Sequence, residues 1–170
     1  DGHGHFRALP RDALRNMSYA SMGVDFADID RDGRLDFITV DMLSREHARR
    51  LRQLSSMPTA VRRMGTVQDR EEVPRNALYW NRGDGTYAEI AWLSGVAASD
   101  WSWTAVFLDV DLDGFEDLLI TTGHERDALH MDYINRVEAK KSGEKLTPME
   151  ILNLQKVFPR LETSKAAFRN

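Results

Sequence analysis

Sliding the 170-residue chain along itself gives a match at an offset of 81. "SMGVDFADIDRDGRLDFIT" (21–39) falls on "SWTAVFLDVDLDGFEDLLI" (102–120). Asp28, Asp30, Asp32, Gly33 and Asp36 then coincide with Asp109, Asp111, Asp113, Gly114 and Asp117. The same offset lays "GHGHF" (2–6) on "GDGTY" (83–87), so two separate landmarks share one register. Such internal periodicity is the mark of a repeat architecture, in which each unit buries its apolar face against a neighbour.

Each unit reads in a fixed order. In "NALYWNRGDGTYAEIA" (76–91), two apolar-aromatic runs flank Asn81, Gly83, Asp84 and Gly85, residue types that supply the left-handed positions of a hairpin. A short strand follows ("GVDFADI", "TAVFLDV"), then the acidic loop, then another strand ("LDFITV", "EDLLIT"). Four such strands make a small antiparallel sheet that needs neighbours to be stable. The closing "FRN" (168–170) resembles the "PRN" (74–76) that opens the middle hairpin. The chain is therefore expected to be a piece of a longer array.

Two stretches depart from this pattern. "SREHARRLRQLSSM" (44–57) places Ala48, Leu51 and Leu54 on one helical face and halts at Pro58. Residues 126–141 space Leu129, Tyr133 and Val137 four apart, which predicts a helix ending at "SG" (142–143). A further helix over 147–159 opens with Thr147 as cap, Pro148 in the first helical position and Glu150 closing a capping box. The division is thus 1–43 as a partial first repeat, 44–73 as a helical insertion, 74–123 as the second repeat and 124–170 as a second insertion leading to a further repeat. The fold class is all-β repeat units with helical insertions.

The acidic loops ask for a cation. In D-x-D-x-D-G-x-x-D the odd positions turn inward, the glycine allows the sharp bend, and four carboxylates repel unless neutralised. Calcium suits them, because it accepts several hard oxygens in a flexible shell, whereas magnesium keeps its own waters. The first site takes side chains from Asp28, Asp30, Asp32 and Asp36 with the carbonyl of Arg34. The second takes Asp109, Asp111, Asp113 and Asp117 with the carbonyl of Phe115. Water completes each shell, so two Ca2+ ions are expected per chain. An EF-hand fails on two counts: position 12 is Thr39 or Ile120 instead of Glu, and the flanks are β-like. Unfilled acidic turns would explain one or two aspartates but not four in a repeated register. Glu116 sits at an even position and is expected to face solvent.

Composition narrows the function. A net charge of -4 offers no basic field for nucleic acid. The absence of cysteine excludes thiol catalysis and disulfides. No apolar run is long enough for a membrane span. Charge is uneven, with eight arginines against four acids over 44–75; a solvated helix face or a faint preference for an anionic partner would account for this.

With "NALYWNRGDGTY" between "DIDRDGRLD" and "DVDLDGFED", and "DWSWTAVFLD" before the second, the chain resembles FG-GAP (VCBS-type) repeats. These are the calcium-binding blades of integrin α-subunit propellers and of many bacterial secreted proteins. The nearer likeness is to proteins that pair such a propeller with an ASPIC/UnbV domain, the cartilage acidic protein 1 type. The resemblance covers 1–43 and 74–123. It implies about two blades of a β-propeller, usually seven-bladed, with structural calcium loops. It also implies further blades as packing partners, a secreted, periplasmic or extracellular setting, and a non-catalytic scaffold for a protein or carbohydrate ligand.

The alternative is a secreted hydrolase with its active site at an insertion or on another domain. Bound carboxylates make poor catalytic acids, because a cation keeps them ionised. His3 and His5 lack further ligands, while His124 and His130 with Glu125 and Asp127 form a looser cluster lacking H-E-x-x-H spacing. Ser102 has no nucleophile context. Trp92, Trp101 and Trp103 are expected to fill the space between blades, or else to expose rings to a ligand.

Overall fold

The computed structural model describes residues 2–6, 8–54, 70–141 and 147–170. The strands are β1 (Asn16–Ser18), β2 (Gly23–Ala27), β3 (Asp36–Val40), β4 (Glu71–Val73), β5 (Ala77–Asn81), β6 (Tyr87–Glu89), β7 (Ser102–Leu108), β8 (Asp117–Thr122) and β9 (Ala166–Phe168). The helices are α1 (His47–Leu54), α2 (Met131–Lys141) and α3 (Pro148–Gln155). A parallel pair joins β1 to β4; the other two sheets are antiparallel, ordered β2-β3-β5-β6 and β7-β8-β9.

This order corrects the phase of the repeat. The strands on either side of an acidic loop come first in each sheet, and the hairpin β5-β6 completes the sheet behind it through β3. It does not begin the next one. In the second sheet β9 takes the place of β5: Phe168, Ala167 and Ala166 pair with Leu118, Leu119 and Ile120 as Tyr79, Leu78 and Ala77 pair with Phe37, Ile38 and Thr39. "AAFRN" is therefore the counterpart of "ALYWN", so "FRN" corresponds to "YWN" and not to "PRN". Between β8 and β9 the register has slipped to an offset of 89, because the second insertion is longer. No closed propeller is formed by these sheets.

The opening "GHGHF" keeps the turn but not the hairpin. Gly2 and Gly4 share the left-handed φ of Gly83 and Gly85, yet no strand forms among the described residues at 2–6. Within the described residues the 44–57 helix spans His47–Leu54, starting later than expected, and the expected stop at Pro58 lies outside them. Two of the three residues of its expected apolar face are not buried. Ala48 and Leu51 are exposed, while Gln53 is buried and accepts from the Ser44 backbone N–H at 2.8 Å. The helix docks through hydrogen bonds, a choice that apolar periodicity does not reveal. The second insertion becomes helical only at Met131; Arg126 instead bridges to Arg160. For α3 the capping box forms as read, with Thr147 Oγ1 accepting from Glu150 N–H and the Glu150 carboxylate accepting from Thr147 N–H.

The core lies between the two larger sheets. Ile38, Val40 and Leu78 from one meet Ala105, Leu118, Ile120 and Ala166 from the other, with Ala91, Val96 and Ala97 closing it. The alternation of β3, with Asp36, Ile38 and Val40 buried, gives it one face to this core. On its other face Phe37 packs against its cross-strand partners Phe26 and Tyr79, the latter ring stacked at 4.4 Å. The equivalent strands β2 and β7 meet closely. The Phe107 N–H donates to Asp25 Oδ2 at 2.7 Å, and a Cβ on Gly23 would lie 2.6 Å from the Trp103 carbonyl oxygen. A serine pair stands at the entry to each of these strands: Ser18 with Ser21 at 2.6 Å and Ser99 with Ser102, the first residue of β7, at 2.7 Å, again 81 apart.

Gly23→Ala should destabilise the chain by about 1–3 kcal/mol, since backbone must shift to admit the methyl group; urea denaturation measures it. A pH effect is expected from Glu89. Burial alone would raise its carboxyl, but hydrogen bonds from Arg75 and from the Ala91 and Leu78 amides, with the Arg75 charge, hold it below its ordinary value. A depressed folded-state value means the stabilisation is present at neutral pH and lost as pH falls through that value. The stability gap between the native protein and Glu89→Gln should therefore shrink on acidification below about pH 4.5 in urea titrations.

Candidate metal centre

Each acidic loop joins the first two strands of its sheet, and each is wound by the same hydrogen bonds. Asp28 accepts from Asp32 N–H at 3.0 Å and Gly33 N–H at 2.9 Å; Asp109 accepts from Asp113 N–H at 3.1 Å and Gly114 N–H at 3.0 Å. Asp32 accepts from Arg34 N–H, and Asp113 from Phe115 N–H, at 2.9 and 3.0 Å. Asp36 accepts from Ile29 N–H at 3.1 Å and Asn81 N–H at 2.7 Å, while Asp117 accepts from Val110 N–H at 3.2 Å and Asn170 N–H at 3.0 Å. The bend repeats as well. Arg31 and Leu112 take φ of 60° and 59°, and Gly33 and Gly114 take 86° and 95°. Two non-glycine residues held in the left-handed region at equivalent places mark one loop built twice.

The carboxylates converge in part. Oxygens of Asp28, Asp30 and Asp36 lie within 4.8 Å of one another in the first loop, as do those of Asp109, Asp111 and Asp113 in the second. Two ligands on opposite sides of a calcium ion, each at about 2.4 Å, would stand about 4.8 Å apart, so each trio fits around one such ion. Asp32 is absent from the first trio and Asp117 from the second. Asp36 and Asp117 are buried, and Asp36 is pushed above its ordinary value by that burial, against the Asn81 and Ile29 hydrogen bonds, with the nearby Asp30 and Asp32 charges adding to the rise. Hard, crowded, partly desolvated carboxylates are a donor set for a divalent ion.

Several neighbours were not legible as site residues. Trp80 Nε1 donates to Asp30 Oδ2 at 2.6 Å. Arg169 pairs with Asp111 at 2.7 Å and Asp113 at 3.2 Å. Arg34, expected to offer its carbonyl, turns its guanidinium onto Asp32. Asn81 Nδ2 donates to the Leu35 carbonyl, whereas Asn170 Nδ2 reaches the Ile29 carbonyl in the first loop at 2.7 Å. The expectation for Glu116 is overturned: only a quarter of its side chain is exposed, and it pairs with Arg31 at 3.2 Å. The Arg31 guanidinium also sits 5.9 Å from the centre of the Phe115 ring. Aligning "ALYWN" with "AAFRN" would have exposed the Trp80, Asn81, Arg169 and Asn170 roles.

Among the described residues the histidines join no metal-sized cluster. His124 stacks on Trp101 at 4.1 Å and its Nδ1 lies 2.5 Å from the Arg126 carbonyl; His130 is buried with its Nε2 3.1 Å from Arg52. Among the described residues the two aspartate trios are the groups suited to a metal. A cleft of about 620 Å³ between α2 and α3 is lined by His124, Val137 and Leu152 among others, and no loop aspartate lines it. Trp92 and Trp103 are not interior: about half of each is exposed, with Trp92 between the guanidinium groups of Arg50 and Arg75, each 5.6 Å from its ring.

Residues 67–120 match the family model described as FG-GAP-like repeat. No curated protein and no solved structure gives a match. The matched span contains the hairpin, β7 and the second acidic loop, and it supports a repeat fold of the general FG-GAP/VCBS type.

Because Asp28 winds its loop by accepting two backbone N–H groups, part of its contribution is independent of any ion. In chelator, Asp28→Ala should cost about 1–2 kcal/mol in urea denaturation, and Asp28→Asn, which keeps one acceptor, should cost less.

Proposed function

We propose that the chain is a calcium-binding FG-GAP-type repeat module, a piece of a β-propeller that acts outside the cytoplasm as a non-catalytic scaffold for a protein or carbohydrate ligand. The observation that carries this reading is the duplicated loop. Five backbone-to-carboxylate hydrogen bonds recur in both copies around a carboxylate trio of ion-binding size. Arg34 and Phe115 would add their carbonyls, Asp32 and Asp117 would complete the four-aspartate sets, and water would fill the remainder.

The ion's work is structural. It neutralises carboxylates whose mutual repulsion opposes the bend, so its binding free energy becomes folding free energy. Weak sites of this kind fill where calcium is about millimolar, which suits a secreted, periplasmic or extracellular setting. The exposed rings of Trp92 and Trp103, at the ends of the sheets away from the acidic loops, support a ligand-binding role there, since aromatic faces stack on sugars and anchor protein partners. The ASPIC/UnbV kinship and the neighbouring blades belong to the same proposal. No helix of the described residues is long and apolar enough to cross a membrane.

Calorimetric titration of the chelator-stripped chain should give two calcium ions per chain. Calcium at about a hundredfold its dissociation constant should stabilise each loop by about 2.7 kcal/mol, read as a rise in melting temperature. Asp111→Asn should weaken one of the two binding steps. A folded chain that binds no calcium would overturn the proposal, and an unaltered titration of Asp111→Asn would remove Asp111 from the ligand set.

A further inference from the structure

The two loops differ at one place where their backbones agree. The strand register makes Arg169 the counterpart of Trp80, each one residue before the asparagine whose N–H braces the buried aspartate. Trp80 brings a neutral indole N–H to Asp30. Arg169 brings a full positive charge to the equivalent Asp111 and also to Asp113. Both of those acids belong to the second trio, so the guanidinium stands in for the cation the trio would otherwise need. In the first loop Arg34 pairs with a single proposed ligand, Asp32, and touches none of the trio, whereas Arg169 touches two members of its trio.

We propose that Arg169 is a built-in competitor for calcium at the second loop, making the two sites unequal and the second one conditional. This rests on the calcium reading above. An indole N–H can stay on Asp30 when an ion enters, because it adds no net charge and occupies one lone pair of the carboxylate. A guanidinium cannot share the trio with a divalent ion. It must swing away, and with most of its side chain exposed it has room to do so. The metal-free second loop is already part-neutralised, so calcium gains less by entering it. A single charge about 6 Å from a divalent ion in a water-like medium changes affinity by about tenfold. The occupied second loop would then present a freed arginine beside a bound ion, a surface that the empty loop lacks.

The test is a calcium titration of the full stripped chain by calorimetry, with Arg169→Gln and Arg169→Lys beside the native protein and circular dichroism to verify folding. Loop one has its own reporter: terbium bound there sits beside Trp80, and the part of the tryptophan-sensitised emission that Trp80→Phe removes reports that site. The native chain should bind in two unequal steps. Arg169→Gln should tighten the weaker step by about tenfold and leave the Trp80-sensitised terbium affinity unchanged. Arg169→Lys, which retains the charge, should keep the weaker step weak. Equal steps in the native chain, or a titration that Arg169→Gln does not alter, would overturn the competitor role while leaving calcium binding intact. No calcium binding by the folded chain would overturn the calcium reading and this proposal with it.

Discussion

A buried carboxylate at the end of each acidic loop holds the rest in place. Asp36 faces the interior at the start of β3, where one oxygen takes the N–H of Ile29 and the other the N–H of Asn81. The first bond closes the loop on itself, and the second fastens it to the third strand of the sheet. Asp117 does the same with Val110 and Asn170. An apolar residue could satisfy the core at these positions but neither amide, and an unpaired buried N–H costs about as much as the bond it lost. The acid is therefore a structural pin in its own right. Among the described residues no arginine is paired with either acid, which fits the cation proposed above.

The two loops are also fastened to each other. Arg31, at the left-handed bend of the first, pairs with Glu116 of the second, and the Asn170 side chain reaches back to the Ile29 carbonyl between Asp28 and Asp30. Along the same seam, β2 and β7 meet through the Asp25 carboxylate and the bare Cα of Gly23. Sheet-to-sheet contact in this chain is thus made at three levels: apolar side chains between the sheets, a carboxylate at the paired first strands, and ion pairing at the loops. Any ion that stiffens one loop acts on a segment hydrogen-bonded to the other.

How much of this could be read in advance depended on whether a residue acts through its type or through its place. Asp28 to Asp36 and their copies announce themselves, since few other purposes put acids at alternate positions around a glycine. The Thr147 capping box was equally plain, being a local bond between residues three apart. Trp80 and Arg169 share no chemistry, so the eye does not align them; only the pairing of β9 with β8 does. The 89-residue spacing that reveals them is hidden by the longer insertion. Helix α1 misled for a different reason. Its leucines suggested an apolar face, but the seam it joins is polar: Asp100, at a left-handed φ of 62°, receives Ser44 and Arg49, and Gln53 fills the interior. Periodicity reports where apolar residues stand, and it is silent when a helix docks by hydrogen bonds.

The composition of the core gives a reason for the electrostatics. Among the described residues, four of its ten buried members are alanines: Ala91, Ala97, Ala105 and Ala166. Small side chains let the sheets approach closely, as the bare Gly23 does beside Trp103, but each removes little apolar area from water, and hydrophobic stabilisation scales with that area. A thin core leaves a larger share of the stability to polar devices: caps, serine pairs, and carboxylates that brace strands. Those devices concentrate like charge in the loops, where repulsion works against the close approach that the alanines allow. On the calcium reading proposed above, neutralisation by an ion, or by a guanidinium such as that of Arg169, would let the two coexist. The identity of the neutralising group would then set how firmly each loop is closed.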